Sequence, residues 1–264
     1  MGRFVAIGGG TFEDTDALTR RIVELSHKEI PNVVFIGTAA EDSTNPLTSC
    51  KKSFKRVCPG TVVKKLSIIR NTYTEAEVDE MLSWADIIYV GPGNTEFMLE
   101  KWREYGLFEK LRKIFEDDSA VLSGISAGAI CWFEMGYTDS DFFTGADEWS
   151  YRMIHPGFSF FPAVFCPHYG DWKRGGFDAE AEEEWKQSML RDGKEKSGNL
   201  ENSHKCDGIR PENGEELFFA VALEDCTAFI FDNGAVSFAK SRDDAKAFVF
   251  YEEAGQFLKR EVSM

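Results

Sequence analysis

Val121-Leu122-Ser123-Gly124-Ile125-Ser126-Ala127-Gly128-Ala129-Ile130 is the stretch on which the reading of this chain turns. The apolar run from Ala120 to Leu122 has the composition of a buried strand, and Gly124 to Gly128 fits the pattern G-x-S-x-G. Helix-favouring residues from Ala127 to Met135 follow. Strand, tight turn and helix in that order are the setting of a nucleophile elbow, where a serine sits on a sharp bend with its hydroxyl at the carboxyl edge of a sheet. The next amide, on Ala127, opens the helix without an internal partner and can hold an oxyanion. An ordinary glycine-rich strand-to-helix turn has the same pattern, so the assignment depends on what else the chain brings to that edge.

Outward from the elbow, strands and helices alternate. Arg3 to Ile7 is a β-type run ending in Gly8-Gly9-Gly10, and a helix capped by Asp14 or Asp16 extends to about Ser26. Asn32 to Gly37 and Val62 to Leu66 read as strands flanking a helix from Pro46 to Val57. Glu75 to Trp84 is helical, and Ile87 to Val90 is a strand entering Gly91-Pro92-Gly93-Asn94-Thr95, where Asn94 or Thr95 caps the next helix. A further helix spans Leu107 to Phe115. This alternation predicts a doubly wound, mainly parallel α/β sheet with helices on both faces. Ligands of such sheets gather at the carboxyl ends of the strands, where Thr38, Gly93 and Ser126 are all expected. The triple glycine invites a dinucleotide-binding reading. Counted from Gly8, however, the third glycine of G-x-G-x-x-G falls on Glu13, whose charge would face a pyrophosphate. A tight turn bordering the active edge is the better reading.

Beyond the elbow, Met135 to Trp149 reads as a polar loop or small hairpin, and Phe158 to Cys166 as an aromatic strand ending at Pro167-His168-Tyr169-Gly170. Glu180 to Leu190 is an amphipathic helix and Gly193 to Asn202 a polar loop. Leu217 to Ala222, Ala228 to Asp232, Ala235 to Phe238, Lys246 to Tyr251 and the tail from Gly255 are extra C-terminal strands that finish the sheet. Asp232-Asn233-Gly234 forms a hairpin turn among them. No repeat or linker divides the chain, so residues 1–264 are read as one domain.

Composition narrows the function. The 264 residues, 43% of them hydrophobic, suffice for a sizeable core. Thirty basic against forty-five acidic side chains give a net charge of −15, the wrong sign for tracking nucleic-acid phosphates. No signal-peptide pattern opens the sequence, and no stretch approaches about eighteen uninterrupted apolar residues. A cytosolic protein with no nucleic-acid or membrane partner is expected. Six cysteines show no C-x-x-C pair or zinc spacing, so reduced thiols, no metal and no cofactor are expected. Free strand edges and the aromatic segment 158–165 leave room for a homodimer.

A nucleophilic serine needs a base, and there are four histidines. His27 lies late in a helix beside Lys28, and His155 and His204 lie in polar loops. His168 alone ends an apolar strand, beside a rigid proline, on the edge where Ser126 emerges. Acids able to orient its ring include Glu224 and Asp225 after it, and Asp139, Asp141 and Asp147 before it. An acid after the histidine makes the order Ser–His–acid, whereas ordinary α/β-hydrolases run Ser–acid–His.

Val90-Gly91-Pro92-Gly93-Asn94-Thr95, Gly124-Ile125-Ser126-Ala127-Gly128-Ala129, Cys166-Pro167-His168-Tyr169 and Ala222-Leu223-Glu224-Asp225-Cys226-Thr227-Ala228 occur in the order and approximate spacing of the S51 serine peptidases. The chain resembles that family, which includes aspartyl dipeptidase and cyanophycinase, from Arg3 to about Phe238. The resemblance implies a class I glutamine amidotransferase-like fold, Ser126 as nucleophile, His168 as base, and the Gly93 and Ala127 amides as oxyanion hole. The family's third member is a glutamate. Aligned without gaps that position falls on Asp225, while Glu224 keeps the residue type but slips by one. Adjacent residues point to opposite faces, so one of them serves, and Asp225 is favoured. Aspartyl dipeptidase selects its substrate with an arginine in the helix after the histidine. Here that stretch is Ala179-Glu180-Ala181-Glu182-Glu183-Glu184, with Lys173 and Arg174 as the nearby cations.

The expectation is a serine-type peptidase cleaving short peptides or isopeptides, with Asn94, Thr95 and Thr38 as substrate-pocket residues. An esterase or amidase with the same triad is the first alternative. A catalytically silent, ligand-binding relative is the second.

Overall fold

Period-two alternation along the first strand splits its side chains between two cores: Val5 and Ile7 point one way, Phe4 and Ala6 the other. Both sets are fully buried, so this strand is covered on both faces. The computed structural model describes residues 2–70, 73–145, 151–170, 218–253 and 256–264. The expected helix 180–190, the loop 193–202, Lys173, Arg174, His204, Asp147 and Cys206 lie outside these residues.

In chain order the first half comprises β1 (Arg3–Ile7), α1 (Asp16–Leu25), β2 (Asn32–Ile36), α2 (Thr44–Val57), β3 (Val62–Leu66) and α3 (Glu75–Trp84). Then come β4 (Ile87–Val90), α4 (Thr95–Glu104), α5 (Leu107–Glu116), β5 (Val121–Ile125), α6 (Ala127–Ile130) and β6 (Phe133–Thr138). The remaining described elements are β7 (Arg152–Ile154), β8 (Phe161–Cys166), β9 (Phe218–Leu223), β10 (Thr227–Asp232), β11 (Ala235–Lys240), β12 (Ala247–Glu253) and β13 (Gln256–Glu261).

These strands form two sheets. The first has the order β11-β10-β1-β5-β4-β2-β3, with β1 to β5 parallel and β10 and β11 added antiparallel at one edge. Leu18 and Ile22 of α1 and Phe54 of α2 cover one face; Leu82 of α3, Trp102 of α4 and Leu111 of α5 cover the other. This is the expected doubly wound architecture with extra C-terminal antiparallel strands. The second sheet has the order β13-β12-β9-β8-β6-β7. Its Phe133, Phe161, Phe165, Val221 and Leu223 join the same core as Phe4 and Phe229 of the first sheet.

Two expectations are corrected here. The helix after Ser126 was expected to reach Met135 but ends at Ile130, and Phe133 to Thr138 is a strand. Its aromatic and apolar side chains fit a pleated surface better than a solvated helix, and Gly136 permits the tight return: a Cβ there would lie 2.3 Å from Ile130 Cγ2. β6 then pairs antiparallel with β7, so the hairpin exists but starts earlier than its polar part suggests. The C-terminal strands do not finish a single sheet. β10 and β11 join the first, while β9, β12 and β13 build the second, because the Glu224–Cys226 turn carries the chain from one sheet to the other. Alternation in sequence specifies a strand's faces, not which sheet receives it.

The aromatic segment 158–165 is core rather than a contact surface: Phe158, Phe161 and Phe165 are at most 2% exposed. Phe158 stacks on Phe108 and Phe160 on Phe115, each with ring centroids 3.9 Å apart. At the junction of the sheets Phe229 meets Phe4 at 5.7 Å, Phe133 at 5.3 Å and Phe161 at 4.8 Å. No described helix is long and apolar enough to cross a membrane. Because Phe229 ties the sheets together, Phe229→Ala is expected to cost about 3–5 kcal/mol in denaturant unfolding. A loss under about 1 kcal/mol would mean that the two sheets are not held by this cluster.

Candidate active site

Ser126 follows β5 with φ 55° and ψ −116°, a conformation that an L-residue adopts only under constraint. The constraint is visible on both sides. Its amide donates to the Ile7 carbonyl of β1 at 3.1 Å, and its own carbonyl accepts from the Ala129 and Ile130 amides at 2.8 and 3.0 Å. The flanking glycines are demanded by packing. A Cβ on Gly124 would stand 2.1 Å from the Gly128 carbonyl oxygen, and one on Gly128 2.3 Å from that of Val90. The bend thus turns the serine side chain out at the carboxyl edge of the first sheet.

His168 and Asp225 come from the second sheet. His168 follows β8 and Asp225 follows β9, two parallel neighbours in which Cys166 pairs with Ala222. The imidazole Nε2 lies 2.9 Å from Ser126 Oγ and Nδ1 lies 2.6 Å from Asp225 Oδ1. The tautomer this pairing favours has Nδ1–H donating to the carboxylate, leaving Nε2 to accept the serine O–H. The His168 side chain is only 6% exposed, against 31% for Asp225. Water reaches the acid more easily than the ring it orients.

Glu224, the alternative acid, points elsewhere. Its Oε2 accepts from the Lys246 amide at 2.9 Å, while its own amide donates to the Lys246 carbonyl at 3.1 Å. Thr227 adds donations from its amide and hydroxyl to the Glu224 carbonyl. Glu224 therefore pins the turn that presents Asp225. Burial pushes its carboxyl pKa above the usual range, opposed by the Lys246 amide and by the charges of Lys246 and Arg242. Asp139 and Asp141, the upstream candidates, border β6 and β7; Asp141 pairs with Arg152 at 2.8 Å.

The turn after β4 approaches from a third direction. Gly93 has φ 142°, and a Cβ there would lie 2.1 Å from the Ala39 carbonyl oxygen. That carbonyl accepts the Asn94 amide at 2.8 Å, locking the turn to the Thr38–Ala40 helical turn. Among the described residues neither the Gly93 nor the Ala127 amide has a hydrogen-bond acceptor. Asn94 is half-buried and caps α4, its Oδ1 accepting from the Phe97 amide at 3.0 Å. Thr38 and Thr95 are fully buried. The Thr38 hydroxyl accepts from Trp102 Nε1 at 3.1 Å, and that of Thr95 bonds the Thr138 hydroxyl at the same distance. Both hydroxyls thus spend a hydrogen bond on internal partners.

Two contributors have no signal in the sequence. The Ala39 carbonyl acts through its backbone, and the Lys246 amide is far along the chain from Glu224. Cys50, Cys58, Cys131, Cys166 and Cys226 are free thiols. Among the described residues no three His, Cys, Asp or Glu side chains are gathered closely enough to hold a metal ion.

An α/β fold that brings a serine on a strained elbow to within 2.9 Å of an imidazole nitrogen has the geometry of a serine-type hydrolase. Comparison with known proteins makes the class specific. The model of Peptidase family S51 matches residues 4–203, and the chain belongs to that family. It is 31% identical over 222 residues to a protein described as the uncharacterized peptidase YgaJ of Bacillus subtilis (strain 168), covering 83% of this chain and 84% of that one. Two crystal structures share the fold. A peptidase from an acI-B1 Actinobacterium superposes with a TM-score of 0.63 at 16% identity, covering 100% of this chain and 97% of that one. A putative peptidase E protein of Listeria monocytogenes EGD-e gives 0.57 at 18% identity, covering 91% and 98%. The protein is thus a serine-type peptidase by family.

The raised pKa of Glu224 has a stability consequence. A carboxyl whose folded pKa lies above its unfolded value supports folding fully at low pH, and that support is lost as pH rises through the folded value. Glu224→Gln keeps an acceptor for the Lys246 amide without the buried charge. Its melting temperature at neutral pH is expected to exceed that of wild type, with the gap closing on acidification below the carboxylate range. A variant less stable than wild type at neutral pH would contradict this.

Proposed function

We propose that this S51 peptidase hydrolyses short peptides, or isopeptides of similar size, through an acyl-enzyme on Ser126. The observation that carries the reading is the continuous relay of 2.9 Å from Ser126 Oγ to His168 Nε2 and 2.6 Å from His168 Nδ1 to Asp225 Oδ1. His168 takes the hydroxyl proton as Ser126 Oγ bonds to the scissile carbonyl carbon. The carbonyl oxygen becomes an oxyanion held by the Gly93 and Ala127 N–H groups. Asp225 keeps the ring in place and stabilises the imidazolium. The tetrahedral adduct collapses as the C–N bond breaks, with His168 passing its proton to the departing amine. Water then adds to the ester, His168 accepts its proton, and Ser126 leaves with that proton restored.

On this reading the acid is Asp225 and Glu224 is its support. A small peptide as substrate, in a cytosolic setting without nucleic acid or membrane, fits the net charge of −15 and the family. Aspartyl specificity is not assigned, because the stretch matching the one that carries the selecting arginine in aspartyl dipeptidase is an acidic run, Glu180 to Glu184, with Lys173 and Arg174 as the nearby cations.

Hydrolysis of a dipeptide library by wild type and Ser126→Ala tests the proposal, with kcat expected to fall by about 10^6-fold in the variant. Asp225→Asn should lower kcat by about 10^4-fold, since an amide favours the wrong tautomer. Glu224→Gln should leave kcat near the wild-type value; the reverse pattern would make Glu224 the acid. Turnover of acyl esters with none of any peptide would replace the peptidase activity by an esterase. No turnover, together with no fluorophosphonate labelling of Ser126, would leave a ligand-binding member of the family.

A further inference from the structure

The three segments of the site arrive from different strands and two sheets, yet their backbones converge on one tripeptide. Ser126 N–H donates to the Ile7 carbonyl at 3.1 Å, His168 N–H to the Gly8 carbonyl at 3.2 Å, and Cys226 N–H, one residue after Asp225, to the Gly9 carbonyl at 3.0 Å. Gly8 is held in turn, its amide donating to the Thr227 carbonyl at 2.9 Å. Consecutive carbonyls at the end of β1 thus each fix one segment. Hydrogen bonds of this kind set register because each has a narrow range of distance and angle.

The side-chain positions of the tripeptide add a second constraint. A Cβ on Gly9 would lie 2.0 Å from Asp225 Oδ1, 2.2 Å from His168 Nδ1 and 2.4 Å from His168 Cε1. These are the two atoms of the His–Asp hydrogen bond and the ring carbon beside it. Neither side chain can retreat without breaking their 2.6 Å contact or the 2.9 Å contact of His168 to Ser126. Gly8 is similarly crowded: a Cβ there would lie 2.6 Å from Leu223 Cβ and 2.7 Å from the Glu224 carbonyl oxygen.

We propose that Ile7-Gly8-Gly9 is the template on which the Ser126, His168 and Asp225 segments are assembled, and that Gly9 is a positioning residue whose bare α-carbon lets the imidazole meet the carboxylate. Having no side chain, Gly9 has no group with which to move a proton. It acts by leaving the space in which His168 and Asp225 come together. The proposal rests on the hydrolytic reading for its effect on turnover, but its structural content stands on the contacts alone.

The test compares Gly9→Ala with Gly2→Ala. The control is crowded too, since a Cβ on Gly2 would lie 2.3 Å from the Phe115 carbonyl oxygen, but it precedes the opposite end of β1. Kinetics on a hydrolysed dipeptide, thermal unfolding and proton NMR of the His168 Nδ1–H are measured for each. Gly9→Ala should lower kcat about 100-fold, the scale of a misplaced catalytic group, with KM little changed and the Nδ1–H resonance moved or lost. Gly2→Ala should lose stability but keep kcat and the resonance. In an Asp225→Ala background, Gly9→Ala should cost far less than in wild type, because the two act through one contact. A single variant that fails to fold should be restored to a folded state by that second substitution. An unchanged resonance in Gly9→Ala, a full multiplicative loss in the Asp225→Ala background, or failure of the double variant to fold would each overturn the proposal. If wild type neither turns over nor labels, the hydrolytic reading fails, and the resonance alone decides whether Gly9 positions the pair.

Discussion

Ser126 belongs to one sheet, and His168 and Asp225 to another, so the relay depends on how the two sheets are docked. Ser126 follows β5 of the first sheet; His168 and Asp225 follow β8 and β9 of the second. Separations of 2.9 and 2.6 Å leave little room for sliding. Two features limit it. At the edge, backbone hydrogen bonds tie all three segments to the end of β1. Behind them, Phe4, Phe133, Phe161 and Phe229 close the space between the sheets with ring contacts from 4.8 to 5.8 Å. Rings packed at interior density resist displacement more than aliphatic side chains of the same area, because they have few rotamers to exchange.

That core also supports the strain at the edge. Ser126, His168 and Cys226 all have positive φ, at 55°, 51° and 70°. Each such residue costs about 1–3 kcal/mol, comparable with the roughly 1.5–3 kcal/mol gained on burying one phenylalanine. At Ser126 and His168 the bend occurs at the residue whose side chain joins the relay; at Cys226 it follows Asp225 directly. A relaxed strand end would carry Ser126 along the sheet direction, past the imidazole.

The turn after β4 follows a similar logic through a longer chain of contacts. Trp102, fully buried in α4, donates to Thr38; the Thr38–Ala40 turn offers the Ala39 carbonyl; that carbonyl holds Asn94 and excludes any side chain at Gly93. Thr38 and Asn94 thus hold this turn through their hydrogen bonds. Their residue types suggested substrate contact in the sequence, but a buried hydroxyl needs an internal partner, and a side-chain oxygen before a helix satisfies an otherwise orphaned amide.

Local pattern made much of this protein legible. The strand, glycine and helix signals around Ser126, the apolar approach to His168, and the alternation of elements through Glu116 all lie in segments short enough for periodicity and turn chemistry to speak for them. The elbow glycines, the Asn94 cap and the residue opposite Glu224 follow from the same local rules. What the sequence by itself determined was therefore which residues sit at strand ends, which faces they share, and that Asp225 and Glu224 cannot point the same way. Only the tertiary structure decided that β6 continues as a strand after one helical turn, that the C-terminal strands divide between two sheets, and that Gly9 lies against His168 and Asp225. The physical reason is range. Dihedral preferences and alternation act over a few residues, whereas the contact between Gly9, His168 and Asp225 joins positions far apart in the chain, brought together by burial of a shared aromatic core.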